Sequence, residues 1–127
     1  MELGTYFDEK KGTGILSTAD AEGRVDSAVY ARPRIIDEDT AAFIMRERLT
    51  YHNIGRNPYA SYLFIEEGQG YKGVRLYLEK IREDQDPELM ADMSRRCLSE
   101  EEDREKGPKH IVYFKVEKVL PLIGDQW

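Results

Sequence analysis

Two arginines and a threonine stand close together in the stretch MRERLTYHNIGRNP, residues 45–58, and are the first candidates for chemistry. Arg46 and Arg48 carry guanidinium groups, which grip phosphate oxygens through paired hydrogen bonds. Thr50 opens a short segment that stops before Pro58, and threonine is a preferred helix N-cap. We therefore expect a helix with Thr50 as its N-cap. The free amides of its first turn, the hydroxyl and the two guanidiniums would form a phosphate site.

A simpler interpretation of this corner needs no ligand. Thr50 would only cap its own helix, and the arginines would pair with Glu47 and other surface acids. The residue types alone leave both interpretations open.

Other motifs that could do chemistry are weaker. GQGYKG, residues 68–73, spells G-x-G-x-x-G, but a strand pattern follows it where a dinucleotide fold needs a helix. Its glycines fit a hairpin turn better. His52 and His110 lack the Cys or acid spacing of a metal site, and Cys97 falls on the apolar stripe of a helix, which favours core packing. No acid–base pair is evident, so any chemistry would come from a bound cofactor.

The composition limits the class of protein. The chain has 127 residues, 35% of them charged and 40% hydrophobic, which predicts one soluble globular domain over 1–127. A net charge of −6 argues against a nucleic-acid partner. No apolar run approaches the roughly 20 residues that span a bilayer, and the first residues do not read as a signal peptide. One cysteine fits a reducing compartment, so we expect a cytoplasmic protein without a membrane partner.

Alternating and helical patterns give the expected elements. Strands are predicted over 14–19, 24–36, 41–45, 61–66, 71–83 and 109–122, and helices over 2–11, 51–57 and 87–98, with a charged loop over 99–108. Pro33 cannot donate to a sheet ladder, so the second strand should bend, end or lie at an edge there. Six short strands joined by tight turns predict a mainly antiparallel sheet that closes into a small barrel.

The order of these elements resembles the pyridoxamine 5'-phosphate oxidase-like family of FMN-binding split barrels, especially its small single-domain members. The likeness covers roughly residues 3–122 and rests on GTGILSTADAEGRVDSAVYARPR and TAAFIMRERLTYHNIGRNPYASYLFIE. Its most specific part is the spacing of Asn53 before Asn57 and Pro58. The resemblance implies a mainly β fold, a six-stranded antiparallel split β-barrel with a few short helices.

The resemblance also implies a function. Family members are homodimers with FMN at the subunit interface, so it implies an oxidoreductase that transfers hydride or electrons through FMN. Carried over to this sequence, the cofactor-binding residues are Ala31, Arg32, Pro33, Arg34, Met45, Arg46, Glu47, Arg48, Leu49, Thr50 and Asn53, with Tyr71, Lys72 and Arg75 reaching the flavin from the second subunit.

Two departures from the family pattern define the alternative. Family members often carry a lysine at the corner, where this sequence has Leu49, so Arg46 or Arg48 would have to replace its charge. The arginine- and tryptophan-containing dimerisation tail of true pyridoxamine phosphate oxidases is also missing, so vitamin B6 oxidation is not expected. The alternative is a non-catalytic split-barrel binding module for haem or another phosphorylated small molecule.

Overall fold

A computed structural model of the chain describes residues 2–94 and 100–127. These residues form four helices and seven strands. In chain order the elements are α1 (Leu3–Glu9), β1 (Gly12–Ala19), β2 (Val25–Val29), β3 (Arg34–Asp37), β4 (Thr40–Arg46), α2 (Leu49–Arg56), β5 (Tyr59–Glu66), β6 (Gly73–Asp84), α3 (Pro87–Met93), α4 (Glu100–Glu105) and β7 (Lys109–Pro121).

The strands form one sheet in the order β2-β1-β5-β6-β7-β4-β3, and every neighbouring pair is antiparallel. The predicted mainly β, antiparallel split barrel is confirmed, but with seven strands in place of six. The extra strand arises because the segment predicted as one strand over 24–36 is divided into β2 and β3. These two consecutive strands form the two opposite edges of the sheet.

The link between β2 and β3, residues 30–33, contains the buried Pro33, which cannot donate to a ladder. Its first residue is anchored on β1 and β5. Tyr30 N donates to Gly14 O at 2.9 Å, and the Tyr62 hydroxyl donates to Tyr30 O at 3.1 Å. Gly14 is needed here, because a Cβ on it would lie 1.8 Å from the Tyr62 hydroxyl oxygen. The sequence predicts a bend, an end or an edge at Pro33; β2 ends at Val29, four residues before the proline, and β3 begins directly after it.

The main core fills the inner face of the barrel. Aromatic rings meet edge to face there, Phe43 with Tyr62 at 5.1 Å and with Phe114 at 5.7 Å between centroids. Phe7 brings α1 into the same core, where its ring lies 5.4 Å from that of Phe64. Alternation along β1, β4, β5 and β6 supplies these side chains, as expected for strands with one buried face.

A second, smaller core lies on the other face of β4 and β7, under α3. Leu89, Met90 and Met93 pack there against Ala42, Ile111 and Tyr113. Asp86 is the N-cap of α3, and Pro87 is its first residue, as the sequence indicates. The helix predicted over 87–98 ends at Met93, with Ser94 as its C-cap, and Cys97 lies outside the described residues.

Two expectations about local structure were wrong. The first helix was predicted over 2–11 with Gly12 closing it, but α1 ends at Glu9 and Gly12 begins β1. The charge run over 99–108 is not simply a loop, because α4 forms within it, and contacts with β4 and β7 hold that helix as described below. No helix in the described part of the chain is long and apolar enough to cross a membrane.

Candidate functional site

A cavity of about 570 Å³ lies on the face of β4 that turns away from the main core. The link between β2 and β3 forms one side of it, and α3 and α4 form the others. Cationic groups line it together with small apolar side chains. The lining residues are Tyr30, Ala31, Arg32, Ala42, Phe43, Ile44, Arg46, Arg48, Ala91, Met93, Ser94, Asp103, Lys106 and Lys109. Ala31, Arg32, Arg46 and Arg48 are the predicted site residues that the structure brings together here.

Arg46, the last residue of β4, is held by α4 and the turn that follows it. Its Nη2 donates to Asp103 Oδ1 at 2.6 Å, and its Nη1 donates to the carbonyls of Gly107 at 2.6 Å and Asp103 at 3.2 Å. The interpretation in which an arginine of the corner pairs with a surface acid is therefore correct for Arg46. Its partner is Asp103 and not the neighbouring Glu47.

Lys109 stands beside Arg46 because the β4–β7 ladder pairs these two residues directly. Its Nζ lies 3.0 Å from Asp103 Oδ1, the same oxygen that Arg46 contacts. Hydrogen bonds from Arg46 and Lys109 lower the pKa of the Asp103 carboxyl below its ordinary value. Two cations thus converge on one carboxylate oxygen inside the cavity.

Arg48 lies at the rim of the same cavity, and its side chain is exposed. No carboxylate among the described residues pairs with it. Its positive charge acts on the phenol of Tyr30, which lines the cavity opposite β4. Burial raises the pKa of Tyr30, while a hydrogen bond with the Thr50 side chain and the charge of Arg48 act in the other direction. The phenol therefore stays neutral near pH 7.

Thr50 is not the N-cap of the helix. α2 begins at Leu49, its N-cap is Arg48, and no side chain caps it. The helix therefore begins two residues earlier than predicted, after a tight turn in which Arg48 N donates to Arg46 O at 2.8 Å. Thr50 is buried, and its side chain acts on the Tyr30 phenol by lowering its pKa. The expectation that it would cap the helix was wrong, and its role in binding a phosphate stays a prediction.

Glu47 is held outside the cavity by a cluster on the neighbouring strands. His110 Nε2 lies 2.7 Å from Glu47 Oε2, and its Nδ1 lies 3.4 Å from Glu83 Oε2. Tyr51 stacks on the His110 ring with centroids 4.6 Å apart and donates to Glu83 at 2.6 Å, which raises the pKa of Tyr51 to about 12. The cluster fixes the corner between the two arginines.

Asn53 packs into the interior and not toward the cavity. Its Nδ2 donates to Thr18 Oγ1 at 3.1 Å, and both residues are buried. Asn57 closes α2 through its backbone N–H, which donates to Asn53 O at 2.8 Å. The most specific part of the family resemblance therefore serves to dock α2 on β1.

Two further arginines of the predicted set are engaged in holding helices. Arg32 donates through Nη1 to the carbonyls of Phe7 at 2.7 Å and Lys10 at 2.5 Å, at the C-terminus of α1. Arg34 pairs with Asp92 of α3 at 2.6 Å. Arg32 still touches the cavity, whereas Arg34 does not line it.

The other predicted residues lie away from this cavity within one chain. Met45 faces the main core, Pro33 is buried in the link, and Leu49 is 58% exposed on α2. The remaining three, Tyr71, Lys72 and Arg75, belong to the β5–β6 hairpin region, where Arg75 Nε donates to Pro121 O at 2.9 Å.

Sequence reasoning missed Tyr30, Asp103, Lys106 and Lys109 at this cavity. Tyr30 directly precedes the predicted residues of the link, so extending that segment by one position would have found it. The other three lie about 60 positions from the corner, and only the strand order brings them there.

A family model described as pyridoxamine 5'-phosphate oxidase matches residues 6–122. The chain therefore belongs to this family of split-barrel proteins. No curated protein matches the chain.

Solved structures share the fold across nearly the whole chain. An FMN-binding protein from Syntrophomonas wolfei subsp. wolfei is 21% identical, with a TM-score of 0.73, and the alignment covers 97% of this chain and 85% of that one. An F420 reductase is 17% identical, with a TM-score of 0.69, and the alignment covers 87% of this chain and 90% of that one. A putative pyridoxamine 5'-phosphate oxidase from Lactobacillus delbrueckii is 15% identical, with a TM-score of 0.68, and the alignment covers 94% of this chain and 92% of that one. At these identities the likeness establishes the fold alone.

Proposed function

We propose that the protein binds FMN in the cavity beside β4 and transfers hydride or electrons through it as an oxidoreductase. The observation that carries this proposal is the convergence of Arg46, Arg48 and Lys109 on one cavity in a chain of this family. A volume of about 570 Å³ falls within the roughly 300–1,000 Å³ typical of small-molecule sites.

The residues present fit the phosphate of FMN. Arg46 and Lys109 already hold a carboxylate oxygen between them, which stands in for a phosphate oxygen. Arg48 at the rim adds a third cation that no carboxylate of the described chain neutralises. A phosphate dianion is bound well by such charge-assisted hydrogen bonds. We assign the phosphate to these three side chains.

The rest of the cavity fits a flat ring. Ala31 and Ala42 present only methyl groups, which leaves room along β4 and the link. Bound FMN would supply hydride and one-electron chemistry, while this chain would bind it, orient it and limit its access to water. The partly buried Tyr30 phenol, kept neutral by its raised pKa, is a hydrogen-bond donor beside that space.

The proposal includes a homodimer, supported by an apolar surface on the outer face of the sheet. We call the outer patch the side chains of Ile15, Val25, Val29, Leu63 and Tyr77. Ladder pairing sets Val29 against Ile15 and Ile15 against Leu63, and Val25 and Val29 are more than 70% exposed. Exposed patches of this kind mark protein interfaces.

The outer patch reaches the cavity through the chain itself, since Val29 belongs to the patch and Tyr30 and Ala31 line the cavity. A second subunit seated on the patch would therefore stand next to the ligand. Arg75 borders the patch opposite Leu63, and with Tyr71 and Lys72 it remains our proposed contribution from the partner.

The experiment that tests FMN binding uses Arg46→Ala combined with Arg48→Ala. Flavin fluorescence quenching during titration with FMN should show binding by the natural protein and at least a tenfold loss in the double variant, since each charge-assisted contact is worth about 1.5–3 kcal/mol. Circular dichroism checks that the variant folds.

The matched control is Arg56→Ala combined with Lys118→Ala, which removes two exposed cations away from the cavity. It should bind FMN as the natural protein does. Equal losses in both double variants would show that general charge, and not this site, attracts FMN. Undiminished binding by the Arg46 and Arg48 variant would contradict the assignment.

A second candidate is a non-catalytic binding module for another phosphorylated small molecule. The engagement of Arg46 by Asp103 favours it, because a smaller anion competes with that contact at less cost. Reduction of bound FMN by NADH or NADPH under anaerobic conditions separates the two: bleaching supports the oxidoreductase, and bound flavin that resists both donors supports the module. Neither His52 nor His110 lines the cavity, so neither histidine can ligate haem there.

A further inference from the structure

The Asp103 carboxylate occupies the place in the cavity where an anion would bind. Its Oδ1 accepts a hydrogen bond from Arg46 Nη2 at 2.6 Å and lies 3.0 Å from Lys109 Nζ. Arg46 and Lys109 are fixed side by side by the β4–β7 ladder, so the cationic pair exists independently of α4. Their side chains are only 16% and 21% exposed, which shields the pair from water.

The contact with α4 uses both amino groups of Arg46. While Nη2 holds the carboxylate, Nη1 holds the carbonyls of Asp103 and Gly107 at the end of the helix. A ligand anion therefore cannot contact Arg46 in the same way until α4 moves away. The α4 helix itself has six residues, four of them glutamate, and a helix this short is not stable in water without contacts to the rest of the protein.

We infer that Asp103 is an internal competitor for the anion site: its carboxylate and a phosphoryl group bind the Arg46–Lys109 pair in turn, and α4 is released when the phosphoryl group binds. The inference rests on the proposed function for its ligand class. Lys109 is accordingly a phosphate-binding residue that supplies the cation absent at Leu49.

Competition of this kind has a quantitative consequence. The apparent affinity for the ligand falls by the fraction of molecules in which α4 is released. Removing the Asp103 charge should increase that fraction, while the Arg46–Lys109 pair stays in place. We expect Asp103→Asn to bind FMN about fivefold more tightly than the natural protein.

The first measurement titrates FMN into the natural protein, Asp103→Asn and Glu105→Gln. Glu105 is an exposed acid of the same helix that does not line the cavity, so its variant controls for the net charge. Tighter binding by Asp103→Asn alone supports the inference. An unchanged or weaker affinity, or an equal gain in Glu105→Gln, overturns it.

The second measurement uses inorganic phosphate as the probe and requires no flavin. Trypsin cleavage after Arg104 and Lys106 reports the release of α4, and sodium chloride at equal ionic strength is the control. Phosphate should accelerate cleavage in the natural protein, and Asp103→Asn should be cleaved rapidly without it. Cleavage rates that do not respond to saturating phosphate overturn the inference.

The two measurements distinguish a failure of the proposed flavin function from a failure of the proposed competition. If FMN fails to bind in every variant while phosphate still releases α4, the proposed flavin function is wrong and the competition stands. If FMN binds normally and α4 stays protected, the competition is wrong and the flavin function stands.

The role of Lys109 is tested in the Asp103→Asn background, where α4 no longer competes. Lys109→Gln should weaken FMN binding about fivefold there, and Lys118→Gln, an exposed lysine of the same strand, should leave it unchanged. Equal FMN affinities in both variants would show that Lys109 does not bind the ligand.

Discussion

Asn53 Nδ2 donates a hydrogen bond to Thr18 Oγ1 at 3.1 Å, and both side chains are buried between α2 and β1. The pair ties the helix that follows the corner to a strand on the opposite side of the sheet from β4. The contact that docks α2 on β1 therefore lies away from the cavity that Arg48, the N-cap of α2, lines.

We predict that Asn53→Ala lowers the free energy of unfolding by about 1–3 kcal/mol, because it leaves the buried Thr18 hydroxyl without its donor. Urea denaturation of Asn53→Ala, Thr18→Ala and the double variant measures the coupling between them. Strictly additive losses would mean that the hydrogen bond contributes nothing. FMN affinity of the folded Asn53→Ala protein should change little, since the side chain does not line the cavity.

A second prediction concerns Gly14, which lies under the Tyr62 hydroxyl. Gly14→Ala should destabilise the protein by about 1–3 kcal/mol, because the new Cβ would overlap the phenol oxygen and displace the link at Tyr30. Thermal unfolding measures the effect. Gly55→Ala is the control: its Cβ would meet no atom within 4 Å on α2, so it should stabilise by roughly 0.5–1 kcal/mol.

Adding Tyr62→Phe to Gly14→Ala should restore only part of the loss. The phenol oxygen is then gone, but the ring carbon Cζ of residue 62 and the carbonyl of Tyr30 would remain 2.4 and 2.6 Å from the new Cβ. Full recovery of stability would show that the phenol oxygen alone sets the need for glycine.

Much of the fold could be predicted because its signals are local. Alternation indicated the strands, and Pro33 marked an interruption in the segment over 24–36, although β2 already ends at Val29. The number of strands was missed by one, since alternating side chains continue through residues 30–33 even though the ladder does not. Register and strand order depend on side-chain packing between distant segments, which a single sequence does not display.

The site was predicted only in part for the same reason. Arg46 and Arg48 lie two positions apart in the sequence, so both could be predicted from the same short segment. Lys109 and Asp103 reach Arg46 through the β4–β7 ladder and α4, and a run of acidic residues gives no sign of such a contact. Thr50 was misassigned because the helix starts two residues earlier than side-chain preference suggests, after the tight turn from Arg46 to Arg48.

A third prediction tests the outer patch as the dimer surface. Val29→Glu places a charge at a position that is 77% exposed in one chain and would be buried in the dimer, so it should shift the protein toward the 14.8 kDa monomer. Sedimentation equilibrium measures the mass. Ile81→Glu, an exposed apolar position of β6 outside the outer patch, is the control and should leave the mass unchanged.

FMN affinity should fall together with the dimer if the ligand contacts both subunits. A natural protein that sediments as a monomer at micromolar concentrations would contradict the dimer itself. A monomeric Val29→Glu protein that binds FMN as before would place the whole site within one chain.

The last prediction concerns the pH dependence of the Asp103 contact. Hydrogen bonds from Arg46 and Lys109 lower the pKa of this carboxyl below its ordinary value of 3.8. A group whose pKa is lowered in the folded state stabilises that state above its unfolded pKa, and the stabilisation is lost as the pH falls through the folded pKa. The docking of α4 should therefore persist at every pH above 3.8 and weaken only below it. Carbon-13 NMR of the side-chain carboxyl should give a midpoint below 3.8 that rises toward that value in Lys109→Gln. A midpoint at or above 3.8 in the natural protein would mean that the two cations do not hold the carboxylate in solution.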